Sequence, residues 1–271
     1  MSVLERNAVT VTGQGDKPLI FLHGYACDQT MWRYIAPKFE ADRRVVLYDH
    51  TGSGRSDLKA YDKHKYAGLN GFADDLIEIC EALHLTGADV VGHSVGGMIA
   101  LLAAKKRPDL FDRVMLLGAS ACYLNLPPEY LGGFDRAGVD ELLAFLEINL
   151  EAWSAHLAPM VMANAERPEL TDELQSYFVR NDPDIAHHFA KVIFLSDHRA
   201  EVAGIAARSL VIQCDDDIIA PAAAGDFLHA VLPQSDLVVL DTQGHYPHLS
   251  APAKVTETLS AWLGTPHALA A

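Results

Sequence analysis

No apolar run in this chain approaches the length of a membrane span. The most apolar stretch, Val95 to Ala104, is about half of the ~20 residues that a spanning helix needs, and its Gly96-Gly97 pair suits a packed core helix. The first residues, Met1 to Asn7, lack the apolar segment of a signal peptide. Cysteine is scarce: Cys27, Cys80, Cys122 and Cys214 lie far apart with no Cys-x-x-Cys pair. That spacing speaks against a disulfide framework or a thiolate zinc site and is the pattern of reduced thiols. A cytoplasmic protein is expected. Basic residues are few, 21 against 36 acidic ones, for a formal net charge of −15. Phosphate backbones and anionic lipid surfaces repel such a chain, so neither nucleic acid nor membrane is expected as a partner. There is no internal repeat and no dinucleotide fingerprint, because Gly52-Ser53-Gly54 lacks the third glycine and the acid. No cofactor and no metal are expected.

What is present is a short apolar run followed by a helical stretch, several times over, which is the signature of parallel βαβ units. The buried-strand candidates are Leu19–Leu22, Val45–Tyr48, Val90–Val91, Val114–Leu117, Leu210–Gln213 and Leu237–Leu240. Val9-Thr10-Val11, closed by Gly13-Gln14-Gly15-Asp16, reads as an antiparallel edge hairpin, which brings the expected sheet to eight strands. Helices are expected over Leu69 to Leu83 and from Val95 to Lys106. The second ends in Lys105-Lys106-Arg107, where basic residues favour the negative end of a helix; that reading outranks a nucleic-acid patch.

One connection is too long. Between Leu117 and Leu210 lie roughly ninety residues, whereas a crossover needs only a dozen or so. The segment carries four amphipathic stripes, around Val139–Leu146, Leu157–Val161, Leu170–Phe178 and Ile185–Ile193. Four helices inserted after the sixth core strand are expected, packed over the carboxyl end of the sheet, where open α/β sheets bind ligands. The chain then divides into a core (1–120 and 205–264), a helical lid (121–204) and a flexible tail (265–271).

Gly92-His93-Ser94-Val95-Gly96 matches G-x-S-x-G. The pattern alone is common; here an apolar strand leads in and a helix rich in small residues leads out, the context of a nucleophile elbow. A serine needs a base, and in this arrangement the partners follow in the order serine, acid, histidine. Of thirteen histidines, His245 stands just past a final strand, after Gly244. His248 is the competitor, and His187, His188 and His267 read as surface residues. The acid belongs after the preceding strand, where Asp215-Asp216-Asp217 offers three choices. Asp217 lies closest to Pro221, which suits the first turn of a helix, and is favoured over Asp215 and Asp216. Three adjacent aspartates also fit a metal site, but no further ligands stand at useful spacing. The oxyanion donors are assigned to the N–H groups of Val95, just after the nucleophile, and Tyr25, in the loop after Leu19–Leu22.

The motifs His23-Gly24-Tyr25, Asp49-His50-Thr51-Gly52-Ser53-Gly54, Leu131-Gly132-Gly133-Phe134, Phe194-Leu195-Ser196-Asp197-His198-Arg199 and Gly244-His245-Tyr246-Pro247-His248-Leu249 resemble one branch of the α/β-hydrolase superfamily. This branch holds the bacterial stress regulator RsbQ, an activator of the sigma-B pathway, and the plant karrikin and strigolactone receptors. The likeness runs over nearly the whole chain. It implies a Ser94, Asp217, His245 triad, a V-shaped four-helix lid and a small apolar pocket lined by Tyr25, Val95, Tyr123, Leu157, Phe194, Ile219 and His245. Three places depart from the branch's pattern: Ala121-Cys122 where relatives often carry Pro-Arg, Leu157 where many receptors carry Phe, and Tyr25 in place of a usual Phe. The expected function is a serine hydrolase that takes a small apolar ester, lactone or enol-ether ligand and signals to a protein partner through the lid. A metabolic carboxylesterase or C–C bond hydrolase without a partner is the alternative. The intact set of three residues speaks against a binding protein with an idle triad.

Overall fold

The computed structural model describes residues 1–264; the expected tail, 265–271, and His267 lie outside the described residues. The chain opens with a one-turn helix, α1 (Val3–Arg6), then strands β1 (Thr10–Thr12), β2 (Pro18–Leu22) and β3 (Arg44–Leu47), helix α2 (Leu69–Ala82), β4 (Ala88–His93), α3 (Val95–Lys106) and β5 (Phe111–Leu117). Four helices follow, α4 (Arg136–Ile148), α5 (Leu150–Met162), α6 (Pro168–Val179) and α7 (Pro183–Phe194), and then the short α8 (Arg199–Val202). The chain returns to the sheet with β6 (Arg208–Asp216), α9 (Ala222–Val231) and β7 (Ser235–Gln243), and closes with α10 (Pro247–Ser250) and α11 (Pro252–Leu263). No helix among the described residues is long and apolar enough to cross a membrane.

The strands lie in the order β1-β3-β2-β4-β5-β6-β7. All neighbours are parallel except β1, which runs antiparallel to β3. Among the described residues the sheet therefore has seven strands, not the expected eight, and the helical insertion follows the fifth strand, not the sixth. The surplus came from reading Val9–Asp16 as a hairpin. β1 pairs with β3 and not with its neighbour β2, because the turn after it is pressed onto the loop before β3. Gln14 N–H donates to Glu40 O at 3.1 Å, and a Cβ on Gly15 would stand 2.0 Å from Asp42 O. The two glycines serve this close approach and leave no room for a returning strand.

The continuous apolar runs of the central strands follow from burial on both faces. Side chains alternate, so Leu19 and Phe21 on β2, Met115 and Leu117 on β5, and Leu210 and Ile212 on β6 pack with Trp32, Ile35 and the α11 residues Val255 and Leu259. Ile20, Leu22, Val114, Leu116 and Val211 pack on the other face, with α2, α3 and α9. Each such side chain, fully buried, contributes roughly 1.5–3 kcal/mol. In the insertion, α5 packs on α6 and α4 on α7. Asn149 caps α5 through a bond from Ala152 N–H (2.9 Å) and Asp182 caps α7, while Pro168 and Pro183 start α6 and α7, where no N–H is needed. The insertion covers the carboxyl ends of the strands. It touches the loop after β2, where Asn181 Nδ2 donates to Ala26 O (2.9 Å), and the loop after β7, where His245 N–H donates to Val161 O (2.7 Å).

Candidate active site

The elbow forms where β4 meets α3. Ser94 sits between them at φ 54°, ψ −123°, a strained backbone for a residue with a Cβ. The turn is tight enough that a Cβ on Gly92 would stand 2.4 Å from the carbonyl carbon of Gly96, so the glycines of G-x-S-x-G are demanded by packing. Ser94 N–H is held by Leu117 O (2.8 Å), which fixes the elbow to the neighbouring strand. Ser94 stands at the N-cap of α3, the positive end of the helix, and its side chain makes no cap bond there.

Asp217 and His245 meet although 28 residues separate them. β6 ends at Asp216, and the next residue turns inward: Asp217 is 6% exposed while Asp215 and Asp216 are exposed. One carboxylate oxygen accepts from Ile219 N–H (2.8 Å) and Ala220 N–H (3.1 Å). The other accepts from His245 Nδ1 at 2.7 Å. The proton therefore sits on Nδ1 and leaves Nε2 a lone pair, the tautomer that can take a proton from a hydroxyl. His248 does not compete for this place. It is fully buried, stacks on Trp32 (centroids 4.9 Å apart), and neither ring nitrogen has a partner among the described residues.

Ser94 and His245 line one small apolar cavity of about 30 Å³. Tyr25, Tyr123, Leu157, Phe194 and Ile219 line it, together with Trp153, Val161, Phe178, Ile193 and Tyr246. Val161, Phe178 and Ile193 belong to the amphipathic stripes and Trp153 lies one turn before Leu157, so the signal for them was in the helical period. Val95, expected in the lining, is buried and is not among the residues that line this cavity. The N–H of Tyr25 has no backbone acceptor among the described residues, and Val95 is the first residue of α3, directly after Ser94. Ser94 Oγ has one hydrogen-bond partner among the described residues, Tyr123 Oη at 3.4 Å. Burial pushes the Tyr123 hydroxyl well above its ordinary pKa, so it keeps its proton, and either hydroxyl can donate in this contact. The Tyr123 and Phe194 rings stand 5.3 Å apart and narrow the cavity. Tyr25 Oη donates to Ala186 O on α7 (2.9 Å), a use for the hydroxyl that sequence reading did not find.

Outside this cavity, α4, α5 and the loop after β6 enclose a second hollow of about 370 Å³. Phe134, Leu142, Phe145, Met160 and Ile218 form its apolar walls, with Glu141 and His156 as its polar residues. Trp153, Leu157 and Ile219 line both spaces and form the partition. Hollows of about 420 and 570 Å³ elsewhere lie away from Ser94 and bring no candidate residues together.

Histidine burial was the least legible feature. His23, His50, His93, His198 and His248 are all buried, and even His187 and His188, expected at the surface, are half-buried. His188 Nδ1 meets Tyr61 Oη at 2.8 Å.

The chain matches the family model of the alpha/beta hydrolase fold over residues 17–252. It is similar to a strigolactone esterase of Pisum sativum, 33% identical over 95% of this chain and 96% of that one. It is also similar to a karrikin insensitive 2 receptor of Petunia hybrida, 34% identical over 90% and 89%. Among solved structures, a hydrolase from Oleispira antarctica shares 34% identity, with a TM-score of 0.94 over 97% of each chain. Sheet order, elbow and similarity over nearly the full length agree: the chain belongs to the α/β-hydrolase family, in a branch shared with the strigolactone esterases and the karrikin insensitive 2 receptors.

Proposed function

We propose that this serine hydrolase of the esterase type cleaves a small apolar ester, lactone or enol-ether ligand, with Ser94 as nucleophile, His245 as base and Asp217 as the group that orients the base. The observation that carries the reading is the 2.7 Å bond from His245 Nδ1 to Asp217 beside a small apolar cavity that also holds Ser94. Ser94 Oγ would attack the carbonyl carbon while His245 Nε2 takes its proton. The resulting oxyanion would be received by the N–H groups of Val95 and Tyr25. Collapse would expel the leaving oxygen, which takes the proton back from His245, and a water molecule would repeat the sequence to free Ser94. Catalytic hydrogen bonds often tighten only when substrate is bound, so the Ser94 hydroxyl would swing from Tyr123 to His245 as the ligand enters.

The two spaces support a two-part ligand. The 30 Å³ cavity accommodates only a small reacting group, and the 370 Å³ hollow beyond Leu157 and Ile219 would hold a larger apolar part. We read residues 121–204 as the lid over this site. The relatives named as receptors support a signalling role, in which the ligand-bound state shifts the lid population that a protein partner reads. Exposed apolar side chains on the insertion, Leu131, Ile148 and Met160, offer such a partner a surface.

The test joins kinetics to a pull-down. Turnover of candidate esters and lactones should lie well below the enzyme median of about 10 s⁻¹. A partner should be retained from host extract by the wild type with ligand and lost with Ser94→Ala. Fast turnover of a metabolite, with no protein retained by either form, would replace the regulator with a metabolic hydrolase.

A further inference from the structure

His245 is held through its backbone as much as through its ring. Its N–H donates to Val161 O on α5 at 2.7 Å. Its carbonyl accepts from Nε2 of His93, also at 2.7 Å, and His93 is the residue before Ser94. We propose that His93 is a positioning residue for the reaction, its imidazole fixing the peptide of His245 relative to the nucleophile elbow. The inference rests on the reading of Ser94 as nucleophile and His245 as base.

The placement of the ring supports this role over simple filling. His93 is 1% exposed, and its ring lies 4.8 Å from that of His245, 4.3 Å from His248 and 5.0 Å from Tyr246. On its other side it presses on Gly24, where a Cβ would stand 2.5 Å from His93 Nδ1. Gly24 precedes Tyr25, whose N–H is the oxyanion donor proposed above. One imidazole thus touches the base loop and the oxyanion loop and is one peptide bond from the nucleophile. Neighbouring Cα atoms are fixed about 3.8 Å apart, so a single covalent step and a single hydrogen bond connect the backbones of Ser94 and His245.

The chemistry of the ring agrees. Only the tautomer with its proton on Nε2 can donate to the carbonyl, and Nδ1 then remains without a partner among the described residues. Burial, with His248 and His245 close by, holds the pKa well below the ordinary histidine value. The ring is therefore neutral near neutral pH. A cation here would oppose the imidazolium that forms on His245 during the reaction. An apolar side chain would fill the same space without stranding a buried nitrogen, so packing alone gives no reason for a histidine.

Two variants separate positioning from filling. His93→Leu keeps the bulk and removes the donor, while His93→Gln carries an amide N–H to about the place of Nε2. Both are assayed on a nitrophenyl acetate, with active sites counted by a fluorophosphonate and Ser94→Ala as control. Loss of alignment of about 1 Å costs on the order of 10²-fold, so kcat per titrated site should fall by about that factor in His93→Leu. KM should stay within about threefold, because substrate binding is untouched. His93→Gln should recover most of the loss. Equal kcat per site in the two variants, or no fall in either, would overturn the proposal, since a filling role predicts fewer folded sites with unchanged chemistry. Turnover by Ser94→Ala would instead remove the reading on which it rests. Should the variants not fold, nitrogen-15 NMR of the wild type decides: His93 should be neutral with its proton on Nε2 from about pH 8 down to about pH 5. A proton on Nδ1 would leave nothing to donate to His245 and would end the proposal.

Discussion

Lowering the pH from 7.5 to 5 should destabilise this protein steeply, and the cause is four buried neutral histidines. Burial pushes His23 down to about 4 and His50 and His248 down to about 3, and holds His93 well below the ordinary value of 6.5. In the unfolded chain each takes a proton as the pH falls through 6.5; in the fold none does so until the pH is far lower. The unfolded state therefore binds more protons over that window, and stability falls as the pH falls. Their contribution to the slope fades as the pH rises above 6.5 and is small by about pH 7.5. At pH 5, 1.5 units below the unfolded value, each costs about 2 kcal/mol at ~1.4 kcal/mol per unit. The four together approach about 8 kcal/mol, comparable to the whole stability of an ordinary domain at 5–15 kcal/mol. Buried Asp49 and Asp89, whose pKa values burial raises, act in the opposite sense. They hold protons in the fold at a higher pH than in the unfolded chain, and so soften the loss at the acid end.

The assay is urea unfolding at pH 7.5, 6 and 5. Between pH 6 and 5 the slope should approach four protons. His248→Leu isolates one of them, because neither nitrogen of His248 has a partner among the described residues and leucine fills similar space against Trp32. Replacing an unpaired polar group by an apolar one of the same shape is nearly neutral or stabilising. The variant should match the wild type at pH 7.5 within about 1 kcal/mol, exceed it by about 2 kcal/mol at pH 5, and lower the slope by one proton. A loss of less than about 1 kcal/mol for the wild type at pH 5 would refute the reasoning. So would an unchanged slope in His248→Leu: either result means that the ring gains a proton inside the fold.

Ser94→Ala should abolish turnover of a nitrophenyl acetate with the fold intact, and a fluorophosphonate should label the wild type at one residue. Asp217→Asn should lower kcat by about 10⁴-fold by disfavouring the required tautomer, while Asp215→Asn and Asp216→Asn, both exposed, should have little effect; kcat values decide. Phe194→Ala should lengthen the acyl chains accepted, measured as kcat/KM along a series of nitrophenyl esters, whereas efficient wild-type hydrolysis of long chains would contradict the narrow cavity. Gly138 lies within α4 and a Cβ there meets nothing within 4 Å, so Gly138→Ala should stabilise by about 0.5–1 kcal/mol in urea unfolding.

What could be read in advance was set by local rules. Strands buried on both faces read as continuous apolar runs, and the 3.6-residue period located four helices in a stretch too long for a crossover. The elbow was legible because close packing leaves only glycine at Gly92. Asp217 was separable from its neighbours because the strand ends one residue before it and Pro221 sets the helix start. The features that escaped are those decided by residues distant in the chain. The edge strand β1 looked like half of a hairpin, since nothing in Val9–Asp16 reveals that its turn rests on Glu40 and Asp42. Histidines looked like surface residues because a lone polar side chain costs free energy to bury unless a partner is waiting. His23 Nε2 accepts from His50 N–H at 3.0 Å, His50 Nε2 meets His23 O at 2.9 Å, and His93 finds the carbonyl of His245, 152 residues away. No local window contains both halves of any of these bonds. The His93 bond joins the elbow of Ser94 to the loop of His245, and the His23–His50 pair ties the loop of Tyr25 to the loop after β3, so the contacts around the site are the part hardest to see in sequence.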